Sequence, residues 1–156
     1  MMSYEQIYGN LVRQNKAMEL LVTLLEEEFA LLRSHDTEGV VGLEFSIHEL
    51  LRQIAVERTE IKDVMQGTKL AEYAGMLETE KGVEIADLLS AIDAAEQKSA
   101  RQASHNTRLS LALLDQSQEL LDYLQEQVKP ENAYVYGRRG TYQTHRPQAA
   151  VFSGRM

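Results

Sequence analysis

From Ile85 to Val128 the chain runs without a proline, and its apolar side chains return at helical spacing: Ile85, Leu88 and Leu89, Ile92, Ala95, then Leu109, Leu113, Leu120 and Leu124. As one helix, that stretch is roughly 65 Å long at about 1.5 Å per residue. An amphipathic helix of this length cannot bury its apolar stripe alone, so other helices must lie alongside it. The two segments that precede it have the pattern to do so.

The first of these spans about Tyr4 to Arg33. Positions 4, 8, 11, 15, 18, 22, 25, 29 and 32 alternate steps of four and three and read Tyr, Tyr, Leu, Asn, Met, Val, Leu, Phe, Leu, a heptad seam broken at Asn15. An exposed place near the end of the bundle is the expected explanation for Asn15; a buried, register-setting Asn is the alternative. Leu20, Leu21, Leu24 and Leu31 widen the stripe, which predicts packing against two neighbours. His35 and Asp36 mark a break, with Asp36 or Thr37 capping the next helix. That second helix follows positions 40, 43, 47, 50, 54, 57, 61 and 64, apolar except for Glu57. The short connection makes the two helices antiparallel.

Gly67 ends the second helix as a C-terminal glycine cap. Thr68 is expected to cap a short helix presenting Leu70, Tyr73, Ala74 and Leu77, and the start of the long helix is open. Thr79 is one candidate cap, with Gly82 tolerated inside the helix. Between Glu96 and Arg108 the stripe falls back on Ala95, Ala100 and Ala103, so the helix either packs closely through alanines there or leaves the bundle.

These patterns predict an all-α protein: an elongated antiparallel bundle or coiled coil of three long helices and one short one over residues 1–128, followed by a basic, aromatic tail over residues 129–156. Only two prolines and nine glycines in 156 residues favour such long elements. The absence of cysteine excludes a disulfide scaffold and thiol catalysis. With no apolar run of membrane-spanning length and no signal-like opening, the expected location is cytoplasmic. The tail carries a net charge of +4 and the rest of the chain −12, within a total of −8. An acidic body repels nucleic acid and anionic membranes, so only the tail could attract either.

Catalytic and metal-binding patterns are missing. There is no phosphate loop and no nucleophile elbow, and His48-Glu49 lacks the second His of a zinc helix. The residues three before the four histidines are Leu32, Phe45, Gln102 and Tyr142, so no Glu-x-x-His di-metal motif exists. Glu26, Glu27 and Glu28 are adjacent on a helix, diverge by about 100° each, and read as a solvated face. No enzymatic activity, metal or cofactor is expected. In the tail, Tyr134, Tyr136, Tyr142 and Phe152 are interleaved with Arg138, Arg139 and Arg146, while Gly137 and Gly140 bracket the two arginines. Aromatics at this density favour a partner-binding segment.

The order of features resembles the FlgN family of flagellar export chaperones. The likeness rests on LLVTLLEEEFALL (Leu20 to Leu32), the break at Asp36, and ELLRQIAVER (Glu49 to Arg58). It continues with Asn106 ahead of LSLALLDQSQELLDYL (Leu109 to Leu124) and ends with the Y-G-x-x-G element at Tyr136 to Gly140. Where family members often have two spaced asparagines, this chain has Asn106 with Gln102 nearby. The resemblance implies a chaperone that binds hook-associated flagellar proteins in the cytoplasm, prevents their premature assembly and delivers them to the type III export apparatus. It also implies a C-terminal recognition surface: Leu109, Leu113, Leu120, Leu124, Tyr134, Tyr136 and Tyr142 for contact, with Gly137 and Gly140 shaping a turn. Two other readings stand beside it, a homodimeric coiled coil associating through the first two seams and, more weakly, nucleic-acid binding through the tail. With no ligand set at workable spacing, thermal unfolding monitored by circular dichroism is predicted to be unchanged by a chelator. A stoichiometric metal in the purified protein would contradict that.

Overall fold

The computed structural model describes residues 3–128, and within them every regular element is helical. In chain order these are α1 (Tyr4–Arg33), α2 (Thr37–Met65), α3 (Leu70–Met76) and α4 (Thr79–Val128). The described residues are all-α, three long helices and one short one, and the 50-residue α4 shows that the proline-free stretch is a single helix.

Local chemistry sets the helix ends. Ser3 opens α1 with a capping box: its hydroxyl accepts from the Gln6 amide, and the Gln6 side chain accepts from the Ser3 amide at 2.8 Å. Asp36 caps α2 by accepting from the Gly39 amide at 2.9 Å. Between them His35 takes a positive φ of 58°, reversing the chain within a few residues. At the end of α2, Gln66 occupies the left-handed cap and Gly67 follows at φ 89°. The expected cap of α3 is corrected here. Lys69 is the flanking residue, and no side chain makes the capping bond.

Packing divides the chain into residues 1–113 and 114–156. In the first unit, contacts between helices fix their directions. Asn10 and Arg13 of α1 meet Glu57 of α2, so these two helices are antiparallel as the short turn requires. Tyr4 of α1 meets Glu84 of α4, and Glu28 of α1 meets Asn106. The offsets, 80 and 78 residues, are nearly constant, so α4 runs parallel to α1 and antiparallel to α2. Arg58 of α2 accordingly reaches Glu96 of α4 at 3.0 Å.

The core joins Ile7, Leu11, Met18, Leu21 and Leu25 of α1, Ile47, Leu50, Ile54 and Ile61 of α2, Ala74 of α3, and Ile85 and Ile92 of α4. Burying an aliphatic side chain such as Ile85 contributes on the order of 1.5–3 kcal/mol. The α2 seam lies where its spacing places it, with all eight positions buried or half-buried. The α1 seam does not. Its inward residues are Ile7, Leu11, Gln14, Met18, Leu21, Leu25 and Glu28, with Asn10 and Val22 beside them, whereas Tyr8 is exposed and Asn15 and Phe29 are half-buried. The observed stripe lies one residue earlier at every second step than the apolar spacing predicts, because it contains polar side chains. Asn15 is neither fully exposed nor the register-setting Asn: its amide donates to Glu19 at 3.3 Å, and its carbonyl oxygen is buried without a partner.

Gly82 is required, not merely tolerated. A Cβ at this position would lie 2.6 Å from the Ala74 carbonyl oxygen, because α3 folds back against the first turn of α4. Alanine is the better helix former by about 1 kcal/mol, yet Gly82→Ala is expected to destabilise the protein, read as a lower urea midpoint with an unchanged slope. A raised midpoint would show that α3 does not hold this close packing.

Candidate partner-binding site

The segment where the apolar stripe of α4 fails, residues 96–108, stays in the bundle and packs through polar groups. Ser99 and Asn106 are buried there, Gln102 and Ala103 are half-buried, and Ala100 points outward. Buried residues of α4 therefore recur every seven positions, at Ile85, Ile92, Ser99 and Asn106. The Ser99 hydroxyl donates to the Glu96 carbonyl at 2.8 Å, satisfying itself within the helix.

Asn106 joins two helices. Its amide donates at 2.8 Å both to the Leu25 carbonyl and to Glu28 Oε1 of α1, while its own oxygen accepts from Gln102 at 3.0 Å. Glu28 is only 6 % exposed, which corrects the expectation that Glu26, Glu27 and Glu28 are all solvated. Glu26, on the outside, reaches Lys98 at 3.5 Å. Burial pushes the Glu28 carboxyl up from 4.5 to about 7, reinforced by Glu44 of α2 and opposed by the bond from Asn106.

A second polar layer lies near the other end of α1. Asn10, fully buried, donates to the Glu57 carbonyl at 3.0 Å and to the Glu57 carboxylate at 2.7 Å. It accepts from Gln14 at 2.6 Å, and Arg13 adds a two-pronged contact to the Glu57 carboxylate at 2.7 and 3.0 Å. At the start of α1, the Tyr4 hydroxyl donates to Glu84 at 2.6 Å, and this bond holds its pKa up to about 12.

Of the expected contact residues, Leu109 and Leu113 lie in the first unit and are half-buried. Leu120 and Leu124 lie in the second unit and are 57 % and 47 % exposed. Leu114, Tyr123 and Val128 of that unit are exposed as well, so its described part is a helix with large apolar side chains open to solvent. The acids of this helix, Asp115, Glu119, Asp122 and Glu126, recur at steps of four, three and four and so share one face. At about 100° per residue that face is opposite the one carrying Leu113, Leu120 and Leu124. Tyr134, Tyr136, Gly137, Gly140 and Tyr142 lie outside the described residues.

A second apolar surface lies between α1 and α2, a shallow groove of about 500 Å³ lined by Leu20, Leu24, Phe45, Leu50, Ser46, Glu49 and Gln53. Leu20 and Leu24 were legible as a widening of the α1 stripe; Phe45, between the seam positions of α2, was not. Among the described residues no group of three or more His, Asp and Glu is placed to hold a metal ion, and no helix is long and apolar enough to cross a membrane.

The described residues define an all-helical class of protein, three long helices and one short one, with large apolar residues exposed on the last helix. Within that class the chain belongs to the FlgN family, whose model, described as FlgN protein, matches residues 1–144. Membership suggests a flagellar export chaperone, and the family is one of chaperones, not of known enzymes. Comparison with curated proteins and with solved structures finds no match.

Asn106→Ala tests the bond between α1 and α4. It leaves Glu28 Oε1 without its donor and takes from the Leu25 carbonyl the bond it accepts beside its helical one, an expected cost of about 1–3 kcal/mol in chemical denaturation. A change within a few tenths of a kcal/mol would show that water serves both acceptors equally well.

Proposed function

We propose that this protein is a cytoplasmic chaperone that binds hook-associated flagellar proteins, keeps them from assembling early and hands them to the type III export apparatus. The single observation that carries this reading is the exposure of Leu114, Leu120, Tyr123, Leu124 and Val128 within fifteen residues of one helix. Large apolar side chains gathered on a surface helix mark a place where another protein binds. An amphipathic helix of the client, packed along α4, would bury Leu120, Leu124 and Val128, which share one face, in the helix-against-groove manner. Membership in the FlgN family supports the flagellar character of that client.

The recognition residues in this reading are Leu109, Leu113, Leu120 and Leu124 on α4, with Tyr134, Tyr136 and Tyr142 of the tail adding aromatic contact area and Gly137 and Gly140 allowing a turn between them. In this reading Arg138 and Arg139 of the tail contribute charge to the encounter. A client held this way keeps its assembly helices covered until the export apparatus takes them over. No cofactor enters this function, and no nucleic acid is bound.

Leu120→Ala and Leu124→Ala combined are expected to weaken binding of a hook-associated protein about tenfold or more in calorimetric titration. The unfolding midpoint should move little, because side chains already half exposed lose less than the 2–5 kcal/mol typical of buried leucine. Intact affinity in a chain ending at Val128 would remove the tail from the site and leave the helix alone.

A further inference from the structure

At one end of the first unit, a carboxyl group of α1 is buried against a carboxyl group of α2. Glu28 Oε1 takes its bond from Asn106, whereas Glu28 Oε2 is buried with no donor in reach. Glu44 of α2 lies within hydrogen-bonding reach of Glu28, and its own Oε2 sits 3.3 Å from His48 Nε2. Two facing carboxylates with one oxygen left without a donor are a costly arrangement; one proton between them supplies the missing bond and removes the repulsion.

We propose that Glu28 and Glu44 share one proton and together act as a pH-responsive latch, which with Asn106 clamps α1, α2 and α4 at this end of the bundle. The ionisable groups that face Glu28 are Glu44 and His48 from α2, and α4 presents only the neutral amides of Asn106 and Gln102. The cations of α4 do not reach Glu28: Arg101, His105 and Arg108 are exposed, and Lys98 is engaged outside with Glu26. Loss of the proton places two like charges across the α1/α2 contact, and the stretch of α4 around Asn106 is held less firmly.

The sign of the effect follows from linkage. The Glu28 carboxyl titrates near 4.5 when unfolded and higher when folded, so between those values the folded chain holds more protons. Stability from the latch is complete below about pH 4.5 and is lost as pH rises through neutrality. Glu28→Gln imitates the protonated state, since its amide nitrogen can donate toward Glu44 while its oxygen still accepts from Asn106.

The full chain and two variants, Glu28→Gln and His48→Gln, are unfolded in urea at pH 5 and at pH 8. The expected result is that the unfolding equilibrium constant of the wild type rises roughly tenfold or more relative to Glu28→Gln over this interval. His48→Gln should retain most of the wild-type dependence. Amide-exchange protection, corrected for intrinsic rates, should fall at pH 8 in residues 25–33 and 102–113 of the wild type and hold in Glu28→Gln. Equal pH dependence in wild type and Glu28→Gln, or its disappearance in His48→Gln instead, would overturn the latch. Should Glu28→Gln fail to fold, carbon-13 titration of the wild-type carboxyl groups decides the matter. A Glu28 signal that titrates with the surface carboxylates excludes a shared proton, and one that titrates well above them supports it.

Discussion

The two side chains on which the arrangement of the bundle most depends are amides. Asn10 and Asn106 each reach across to a backbone carbonyl on a neighbouring helix, that of Glu57 and that of Leu25. A backbone carbonyl cannot be moved along its helix, so a buried donor fixed to it sets the relative position of the two helices. Leucine stripes do not have this property, because sliding two of them by one heptad restores nearly the same contacts. A buried amide that slid with them would lose its partner, and an unsatisfied polar group in a low-dielectric interior is expensive. Asn10 thus sets α1 against α2, and Asn106 sets α4 against α1. With both fixed, the remaining pair has little freedom, and the Arg58 to Glu96 contact follows on the surface.

The same two amides explain why the aliphatic core can be thin. The buried positions of α4 run Ile, Ile, Ser, Asn, from strongly apolar near α3 to fully polar near the other end of the unit. The α3 end gains from Ile85 and Ile7, both almost completely excluded from solvent, and from the tight seating of Gly82 under the Ala74 carbonyl. The opposite end holds Glu28, Asn106 and Gln102, an arrangement whose contribution depends on every polar atom finding a partner. Such an end is conditional in a way an aliphatic one is not. Its strength depends on protonation, hydration and whatever binds nearby.

This gradient bears on the work proposed for the protein. A chaperone that must hold a client and later release it needs a rigid part and a part whose interactions are readily exchanged. The bundle near α3 suits the first role. The later part of α4, from Leu114, has leucines open to solvent and acids gathered on the opposite face, so a partner can cover the apolar side while the acidic side stays hydrated.

Much of the fold could be read directly from the chain because its determinants are local. The helix ends at Asp36 and Gly67 come from residues acting within a few positions, and the α2 seam comes from a spacing that an isolated helix already possesses. The α4 leucines proposed for recognition repeat along one helix for the same local reason. The inward face of α1 was decided only by the tertiary structure. Two overlapping heptad stripes were available, and counting apolar residues chose the one with Tyr8, Asn15 and Phe29; the molecule uses the one with Gln14 and Glu28, with Asn10 beside it. A hint existed in Glu57, the one charged residue on the α2 seam. Because α1 ends at 33 and α2 starts at 37, paired positions sum to about 70, which sets Glu57 opposite Arg13 and Glu44 opposite residues near 26 to 28. The need for Gly82, too, depends on a carbonyl contributed by another helix. A polar side chain becomes a core residue only when a second helix brings its partner, and that partner is far away in the chain; hence periodicity settles which segments are helices and tertiary packing settles which face of α1 is the inside.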